Sequence, residues 1–401
     1  MITKMKKIIY TLMAVTALTM ISCQPGSNEP TQLSQQERQL KQAVSADVNN
    51  NIIPTYSALA QEALTLAEKT QDMLDKFDAG NLTEADVQAA IDAWVKARAH
   101  WELSESFLFG PVSDLNVDPH IDSWPLAKDD LLSLLNNATQ MAAIEADPSW
   151  VSANLGYGLL GFHAIEYMLY DPDNDDPTNV RVHDITSYTR AELVYTNAVA
   201  QDLAGQVNML YACWVGIDKL SQAQKDFLEE LELEKSDYRD PYNAKMIELN
   251  SSIYKTYGAV ADQIMQGCVD IADEVGNTKI GTPNGAADEA AKNYIESPYA
   301  LNSIVDFQDN IKSIKNSFAG KGVSGEYTLY QFFVDNGYQA DADATLTLID
   351  ESITTIAAIP EPFITNAKTS QADVAVAKVG TDLVNQLTKM QGLIETILNK
   401  K

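Results

Sequence analysis

Apolar residues recur every three or four positions along almost the whole chain, and this spacing constrains the fold more than any other feature. Such spacing places one apolar face of a helix against a core at every turn. Alternating runs of β-branched residues with hairpin turns do not occur, and 19 Gly and 14 Pro in 401 residues are few for the turns of a sandwich or barrel. The sequence therefore predicts an all-α protein.

Loops rich in glycine, proline and asparagine divide this pattern into about four long helices in each half of the chain. We expect two up-and-down helical bundles, an N-terminal one over residues 35–219 and a C-terminal one over residues 220–401. A helix in each half ends in a Phe close to a Gly, at Phe109 and at Phe318. A structural duplication would produce this similarity, although Phe near a C-terminal Gly is also an ordinary helix end.

Local signals indicate where several helices begin and end. The first helical pattern covers residues 35–77 and is interrupted by Pro54, where we expect a kink or a break. A second helix, with Thr83 as its N-cap, is predicted to continue to Phe109. Residues 276–285 contain Gly, Asn and Pro and are predicted to form a loop.

The first 22 residues are typical of a bacterial export signal. Three lysines precede an apolar run of 14 residues that ends directly before Ser22-Cys23. The run is shorter than the roughly 20 residues of a membrane-spanning helix. Because residues 20–23 resemble the lipobox of bacterial lipoproteins, we expect residues 1–22 to be removed and Cys23 to carry a lipid. Residues 23–34 would then be a flexible tether, and an ordinary secretory signal with an incidental Cys23 is the alternative.

The charge of the chain excludes one class of partner. The sequence contains 56 acidic and 28 basic residues, for a formal net charge of -28. Binding of nucleic acid requires clustered cations that replace counterions on the phosphates, so we expect no nucleic-acid partner.

Outside Cys23, the remaining cysteines are Cys213 and Cys268, which an extracytoplasmic compartment would permit to pair. The sequence cannot show whether they meet.

Two acidic residues on the predicted second helix are the first candidates for chemistry. Glu102 and Glu105 are three positions apart and would share one helix face, with Arg98 one turn earlier. Aromatic residues on both sides indicate that this helix is buried, where unpaired carboxylates are unfavourable. The alternative is a solvated acidic face with an Arg98–Glu102 ion pair.

A histidine and two further acids complete the candidate set. His163 and Glu166 stand at positions i and i+3 of another predicted helix, as in the H-x-x-E metal sites of helical bundles, although a core histidine paired within its own helix is the alternative. Asp122 and His120 lie in a proline-flanked loop, where Asp122 can also cap a helix and His120 can be a surface residue. Imidazole with several carboxylates suits iron, manganese or zinc.

The order of these motifs resembles the imelysin-like family. Residues 161–166 match its G-x-H-x-x-E signature, and the segments around Arg98, Glu102 to Glu105, 109–111 and 121–125 follow the pattern of its first half. Residues 303–320 and 359–363 resemble its later segments, so the similarity covers nearly the whole mature chain. The resemblance implies a two-domain, all-helical protein with a duplicated bundle, exported by bacteria and often associated with iron uptake. It also implies a metal-ligand set, which is Glu102, Glu105, Asp122, His163 and Glu166.

The same family is classed among metallopeptidases, so two kinds of activity have to be compared. A metallopeptidase needs an open metal position, a general base and a groove for an extended peptide. The second histidine of the common zinc-peptidase motifs is missing from the sequence around His163, which favours metal binding without hydrolysis. If the protein is a peptidase, His163 and Glu166 are the expected catalytic residues. A non-catalytic lipoprotein that acts by surface interactions is the remaining alternative.

The sequence therefore predicts a lipid-anchored metal-binding protein of the bacterial cell envelope, at the outer membrane on its periplasmic or surface face. The expected ligand is a divalent or ferric ion, with iron favoured and zinc possible. The expected partners are this ion, the membrane through lipidated Cys23, and an iron-transport protein.

Overall fold

The computed structural model describes residues 33–170, 179–233, 236–287 and 294–400, and helices form nearly all the regular structure in these ranges. The β-type pairing within them is an isolated antiparallel bridge between Tyr170 and Val182. The prediction of an all-α fold is confirmed. The predicted signal segment and most of the predicted tether lie outside the described residues, as do residues 171–178.

Short connections join most of the helices along the chain. The α-helices of the first half are α1 (Gln35–Asp47), α2 (Ile53–Asp78), α3 (Glu84–Glu102), α4 (Pro111–Asp114), α5 (Val117–Ile121), α6 (Lys128–Leu135), α7 (Ala138–Ala146), α8 (Trp150–Asn154), α9 (Gly161–Leu169) and α10 (Arg190–Val215). Those of the second half are α11 (Gln222–Glu230), α12 (Tyr242–Ile247), α13 (Tyr257–Asp273), α14 (Gly281–Gly285), α15 (Ser303–Ala319), α16 (Leu329–Asp335), α17 (Gln339–Ala357), α18 (Phe363–Asn366), α19 (Ser370–Ala377) and α20 (Val384–Leu398). Short 3-10 helices cover Glu105–Phe107, Tyr157–Leu159, Ile217–Lys219 and Ser236–Arg239, and π-helical turns cover Val48–Ile52, Glu274–Ile280 and Lys378–Leu383.

The interruption near Pro54 is a π-helical turn, Val48–Ile52, between α1 and α2. Pro54 lies in the first turn of α2, where a residue without an N–H loses no helical hydrogen bond. The long helix α2 then packs between α3 and α10. Its small and branched apolar residues, among them Leu59, Ala63 and Leu66, are fully buried at these contacts.

Helix α3 begins as predicted and ends earlier than predicted. Thr83 and Asp86 form a reciprocal capping box at its start. The helix ends at Glu102, and the chain turns before the 3-10 segment Glu105–Phe107, so the prediction of one helix to Phe109 was wrong. The hydroxyl of Ser104 donates to the carbonyl of Trp101, the group that would accept the next α-helical hydrogen bond.

A glycine sets the contact between α9 and the loop after α5. Gly161 begins α9 with a φ of +75°, and a Cβ there would lie 2.0 Å from the carbonyl oxygen of Ile121. Only glycine adopts this conformation and permits this approach. The contact brings the start of the H-x-x-E helix against the residue that precedes Asp122.

The predicted loop over residues 276–285 is helical, which corrects the sequence prediction. The π-helical turn Glu274–Ile280 continues directly into α14. Gly276 lies against Gly380 of another π-helical turn, and a Cβ on Gly276 would be 2.2 Å from the backbone nitrogen of Gly380. Here glycine therefore permits close packing of two helical segments, and the turn carries Lys279 into the interior.

Residues Gln35–Lys401 form one compact unit. Helix α3 contacts α15, and the 3-10 segment Glu105–Phe107 contacts α13, so helices of the two halves pack directly on one another. The division into two bundle domains, and their origin by duplication, stay predictions. Cys213 and Cys268 are buried and no disulfide joins them. None of the described helices combines the length and the apolar character that crossing a membrane would require.

Candidate metal centre

Arg98 lies on α3 among four buried carboxylates. Its Nη2 atom is 2.5 Å from Glu102 Oε1 and 2.6 Å from Glu296 Oε1. Nη1 contacts Asp122 Oδ1, and Nε lies 3.4 Å from Asp306 Oδ2. All these side chains are 2% exposed or less. Because buried charges without partners are strongly unfavourable, the guanidinium offsets part of the desolvation of these acids. The predicted Arg98–Glu102 pair is present, but in a buried setting.

Lys279 is the second cation of this region. Its Nζ atom lies 3.1 Å from Glu296 Oε1, 3.7 Å from Glu102 Oε2 and 4.0 Å from Glu105 Oε1. The side chain is 1% exposed, and the ammonium lies 5.4 Å from the centroid of the Trp124 ring. One lysine from the second half of the chain thus neutralises both glutamates that the sequence singles out in the first half.

His163 is held from one side by Glu166. Its Nδ1 atom is 3.2 Å from Glu166 Oε2, as the i, i+3 spacing predicts. The other carboxylate oxygen, Oε1, accepts the backbone N–H groups of Tyr299 and Ala300, each at 2.8 Å. Both oxygens of Glu166 are therefore engaged within the protein, and the carboxylate fixes the orientation of the imidazole ring.

The opposite ring nitrogen of His163 faces Asp122. Nε2 lies 3.2 Å from Asp122 Oδ1 but has no hydrogen-bond partner among the described residues. Asp122 also accepts a hydrogen bond from Trp101 Nε1 at 2.8 Å. Helix α6 begins only at Lys128, so Asp122 contacts the buried cluster and does not cap that helix.

We call nine residues the central cluster, and they are Arg98, Glu102, Glu105, Asp122, His163, Glu166, Lys279, Glu296 and Asp306. All five predicted ligands belong to it and are buried. A carboxylate oxygen of Glu102, one of Glu105 and one of Asp122 all lie within 4.8 Å of one another. A second group has the same spacing and consists of a carboxylate oxygen of Asp122, a carboxylate oxygen of Glu296 and a ring nitrogen of His163. His120 lies outside the cluster, with its Nε2 2.7 Å from Asp202 Oδ2.

The electrostatics of the central cluster favour one more cation. If all six carboxylates are ionised, their negative charge exceeds the positive charge of Arg98, Lys279 and a protonated His163. Burial raises the pKa of Glu102 and of Glu105 well above the ordinary value, against the pull of the two cations. Burial likewise raises the pKa of Asp306 to about 6. A multivalent cation would supply the missing positive charge and would favour the ionised forms of these carboxyl groups.

The donor atoms fit a metal ion. His163 Nε2 and Glu296 Oε2 are buried atoms that lack hydrogen-bond partners in the described part of the chain. Burial would lower the pKa of His163, but Asp122 and Glu166 raise it to about 9, so metal binding has to displace a proton from this ring. Carboxylate oxygens with one imidazole nitrogen suit iron, manganese or zinc.

A cavity of about 530 Å³ reaches the central cluster at Glu105. Its wall includes three further acids, Asp114, Asp270 and Glu274, and the side chains of Tyr242 and Tyr254. Burial raises the pKa of Glu274 as well. A cation that approaches through this cavity would meet carboxylates before it reaches the buried ligands.

The signature glycine, the H-x-x-E pair and the paired glutamates thus meet in one buried place. The model of the imelysin family, peptidase family M75, matches residues 52–390. The chain belongs to the imelysin family. This membership confirms the resemblance inferred from the order of the motifs.

Proteins similar to this chain match it over most of their length. The chain is 26% identical over 346 residues to iron-regulated protein A of Synechococcus elongatus. The aligned region covers 85% of this chain and 82% of the relative. The crystal structure of a putative iron-regulated protein A precursor from Parabacteroides distasonis has a TM-score of 0.72 at 24% identity, covering 92% of this chain and 97% of the other. An imelysin-like protein from Psychrobacter arcticum has a TM-score of 0.58 at 16% identity, with coverages of 91% and 95%.

Three residues of the central cluster, Lys279, Glu296 and Asp306, were missed by the sequence analysis. Lys279 lies in a segment whose glycines and prolines indicate a loop, and Glu296 precedes α15 without a motif of its own. A usable signal existed for α15, because Asp306 and Asn310 are polar residues one turn apart on a helix that otherwise has an apolar face. Asn310 Nδ2 donates to Glu102 Oε2, so this polar stripe leads directly to the predicted ligands.

Proposed function

We propose that this imelysin-family protein binds a metal ion in the central cluster and serves iron uptake in the bacterial cell envelope. The observation that carries the proposal is the pair of three-residue groups, Glu102/Glu105/Asp122 and Asp122/His163/Glu296, whose ligand atoms lie within 4.8 Å of one another. Such spacing is compatible with metal–oxygen and metal–nitrogen bonds of about 2.0–2.2 Å to a shared ion.

The chemistry of the ligands supports a transition metal. His163 adds a nitrogen donor, which calcium and magnesium sites seldom use. Iron is the favoured ion because two relatives are named iron-regulated proteins, and zinc suits the same donor set. Glu166 takes the role of holding His163, since both of its oxygens are already bound within the protein.

Binding is favoured over peptide hydrolysis by the state of the acidic groups. Arg98 and Lys279 contact the carboxylates of Glu102 and Glu296, and Glu166 is fully engaged. A general base for hydrolysis must be free to take a proton from a metal-bound water. The family name still makes peptidase activity the outcome to exclude.

Calorimetric titration of the purified protein with Zn²⁺, and with Fe²⁺ under anaerobic conditions, tests the proposal. We expect the double variant His163→Ala, Glu166→Ala to lose affinity by at least about 100-fold, because it removes a ligand and the group that orients it. His120→Ala is the matched control, since this buried histidine pairs with Asp202 outside the cluster. Equally weak binding by the wild type and the double variant would overturn the proposal.

Peptidase activity leads to a different result in the same set of proteins. It would appear as cleavage of a denatured protein substrate that a chelator stops and the double variant lacks. We expect no such cleavage from the wild type at any concentration at which it binds metal.

The envelope location rests on the N-terminal sequence. We propose that Cys23 is lipidated and that residues 23–34 tether the helical body to the membrane, where the protein hands its metal to an iron-transport partner. Palmitate labelling in bacteria should modify the wild type and leave Cys23→Ala unlabelled. Equal labelling of both proteins would contradict the anchor.

A further inference from the structure

Lys279 occupies the position of a cation among the candidate ligands. Its ammonium is within 4.0 Å of carboxylate oxygens from Glu102, Glu105 and Glu296. Each of these glutamates also belongs to one of the two groups whose atoms can share a metal ion. The lysine and an incoming ion would therefore interact with the same carboxylates.

The two cations of the central cluster are bound differently. Arg98 donates hydrogen bonds to Asp122, Glu296 and Asp306 through separate nitrogens of its planar guanidinium. Within the described residues Lys279 makes one hydrogen bond, to Glu296 at 3.1 Å, and its contacts with Glu102 and Glu105 are longer. Because an ammonium is a point charge on a flexible stem, Lys279 is the cation that can leave with less loss of geometry.

Lys279 has surroundings that Arg98 does not share. The residue lies in the π-helical turn Glu274–Ile280, a type of turn that is frequent at functional sites. Its ammonium also faces the ring of Trp124, 5.4 Å from the centroid, and this contact does not depend on the glutamates. Of the two cations, Lys279 is the one that contacts Glu105, the member of the cluster that lines the cavity.

The geometry points to Lys279 as a built-in counter-cation that holds the glutamates together in the metal-free protein and is displaced when a metal ion binds. This inference rests on the proposed function and adds its regulation. The affinity for metal is then set by competition between the ion and the tethered ammonium. The lysine keeps the carboxylates of the metal-free site close together, and it makes release of the ion easier because a replacement cation lies beside them.

Zn²⁺ titration of three Lys279 variants tests this inference. Lys279→Met and Lys279→Gln remove the charge, and we expect both to bind Zn²⁺ at least about tenfold more tightly, since a divalent ion no longer faces a cation a few ångströms away. Lys279→Arg keeps the charge and should show no gain. Lys321→Met is the control for loss of a lysine elsewhere, because this exposed lysine donates to Thr55 outside the central cluster.

A purely structural lysine gives a different pattern. It would lower the unfolding temperature of the metal-free Met and Gln variants without any gain in affinity, and that result would overturn the inference. If the wild type binds metal and the His163, Glu166 double variant does not, the proposed function stands whatever the Lys279 variants show. If neither protein binds metal, the proposed function and this inference both fall.

A measurement on the unmutated chain does not depend on the folding of any variant. Mass spectrometry after brief amine labelling reports the accessibility of Lys279, which is 1% exposed without metal. We expect Zn²⁺ to increase the labelling of Lys279 relative to Lys321, since the displaced ammonium leaves its carboxylates. Unchanged or reduced labelling of Lys279 in the Zn²⁺-bound protein would overturn the inference.

Discussion

Two buried aspartates, Asp122 in the central cluster and Asp47 at the end of α1, are equally hidden from solvent but differ in charge state. Asp122 is 4% exposed and Asp47 is 5% exposed. Burial would raise the pKa of Asp122, but Arg98 and His163 hold it well below the ordinary value. Burial raises the pKa of Asp47 to about 7, because its hydrogen-bond donor is the neutral amide of Asn51.

The difference indicates that at Asp122 the neighbouring cations outweigh burial, whereas at Asp47 burial outweighs the groups that favour the charged form. An ionised carboxylate can bind a metal ion directly, whereas a protonated one must first release its proton. The first variant to test therefore replaces Arg98, the cation that contacts Asp122.

Replacement of Arg98 is expected to have the largest effect. Arg98→Met leaves Asp122, Glu296 and Asp306 with one cation fewer in a buried setting, and we expect the free energy of unfolding to fall by about 3–5 kcal/mol. Urea unfolding of the chelator-treated protein measures this loss. Arg98→Lys keeps the charge without the planar fork and should lie between the wild type and Arg98→Met. A loss below about 1 kcal/mol for Arg98→Met would mean that the guanidinium is not the partner on which these acids depend.

The same substitution at the two aspartates should have opposite effects on stability. The folded-state pKa of Asp47 is raised, so the wild type binds its proton more strongly when folded and loses stability as pH rises from about 4 to about 7. Asp47→Asn removes this loss, and at pH 8 we expect a gain of about 2 kcal/mol that disappears near pH 4.

At Asp122 the lowered pKa has the opposite sign, because the folded state favours the charged form. Asp122→Asn in the metal-free protein should therefore destabilise it at pH 8, by about 1–3 kcal/mol. Urea unfolding of both variants at pH 8 and at pH 4 measures the contrast. Destabilisation by Asp47→Asn at pH 8 would refute the interpretation that burial disfavours the charged form of Asp47.

The smallest expected effect concerns the polar residues that connect the two places. Ser317 accepts a hydrogen bond from Asn51 Nδ2 at 3.2 Å, and its Oγ lies 3.1 Å from Ser106 Oγ, next to Glu105. Ser317→Ala should cost about 1 kcal/mol of stability, the usual contribution of a buried hydrogen bond. Its Zn²⁺ affinity should equal that of the wild type, and a change in affinity would show that the two places are coupled through these hydroxyls.

The helical fold was predictable because it depends on local spacing of apolar residues and on caps such as Thr83 with Asp86. The five candidate ligands could be singled out because the motifs that carry them lie in order within the first half of the chain, and that they bind a metal stays a prediction. The end of α3 was missed because Ser104, whose hydroxyl bonds the Trp101 carbonyl, carries no strong signal against a helix.

Lys279 and Glu296 could not be predicted for a different reason. Lys279 Nζ is 3.7 Å from Glu102 Oε2 and Arg98 Nη2 is 2.6 Å from Glu296 Oε1, although the residues of each pair are far apart in the chain. Only the packing of one half on the other brings them together. Glycines at 276 and 380 indicate loops when considered locally, whereas in the fold they permit contact between two helical turns.

The hydrogen bonds from Tyr299 and Ala300 to Glu166 join chain segments that are synthesised at different times. His163 acquires its fixed orientation only when the later segment has docked on the earlier one. An unfinished or unfolded chain therefore presents scattered carboxylates and no assembled centre. Under the proposed function, the ion would therefore be taken from the compartment in which folding is completed, and the metal content of the compartment of synthesis would have little influence on the choice.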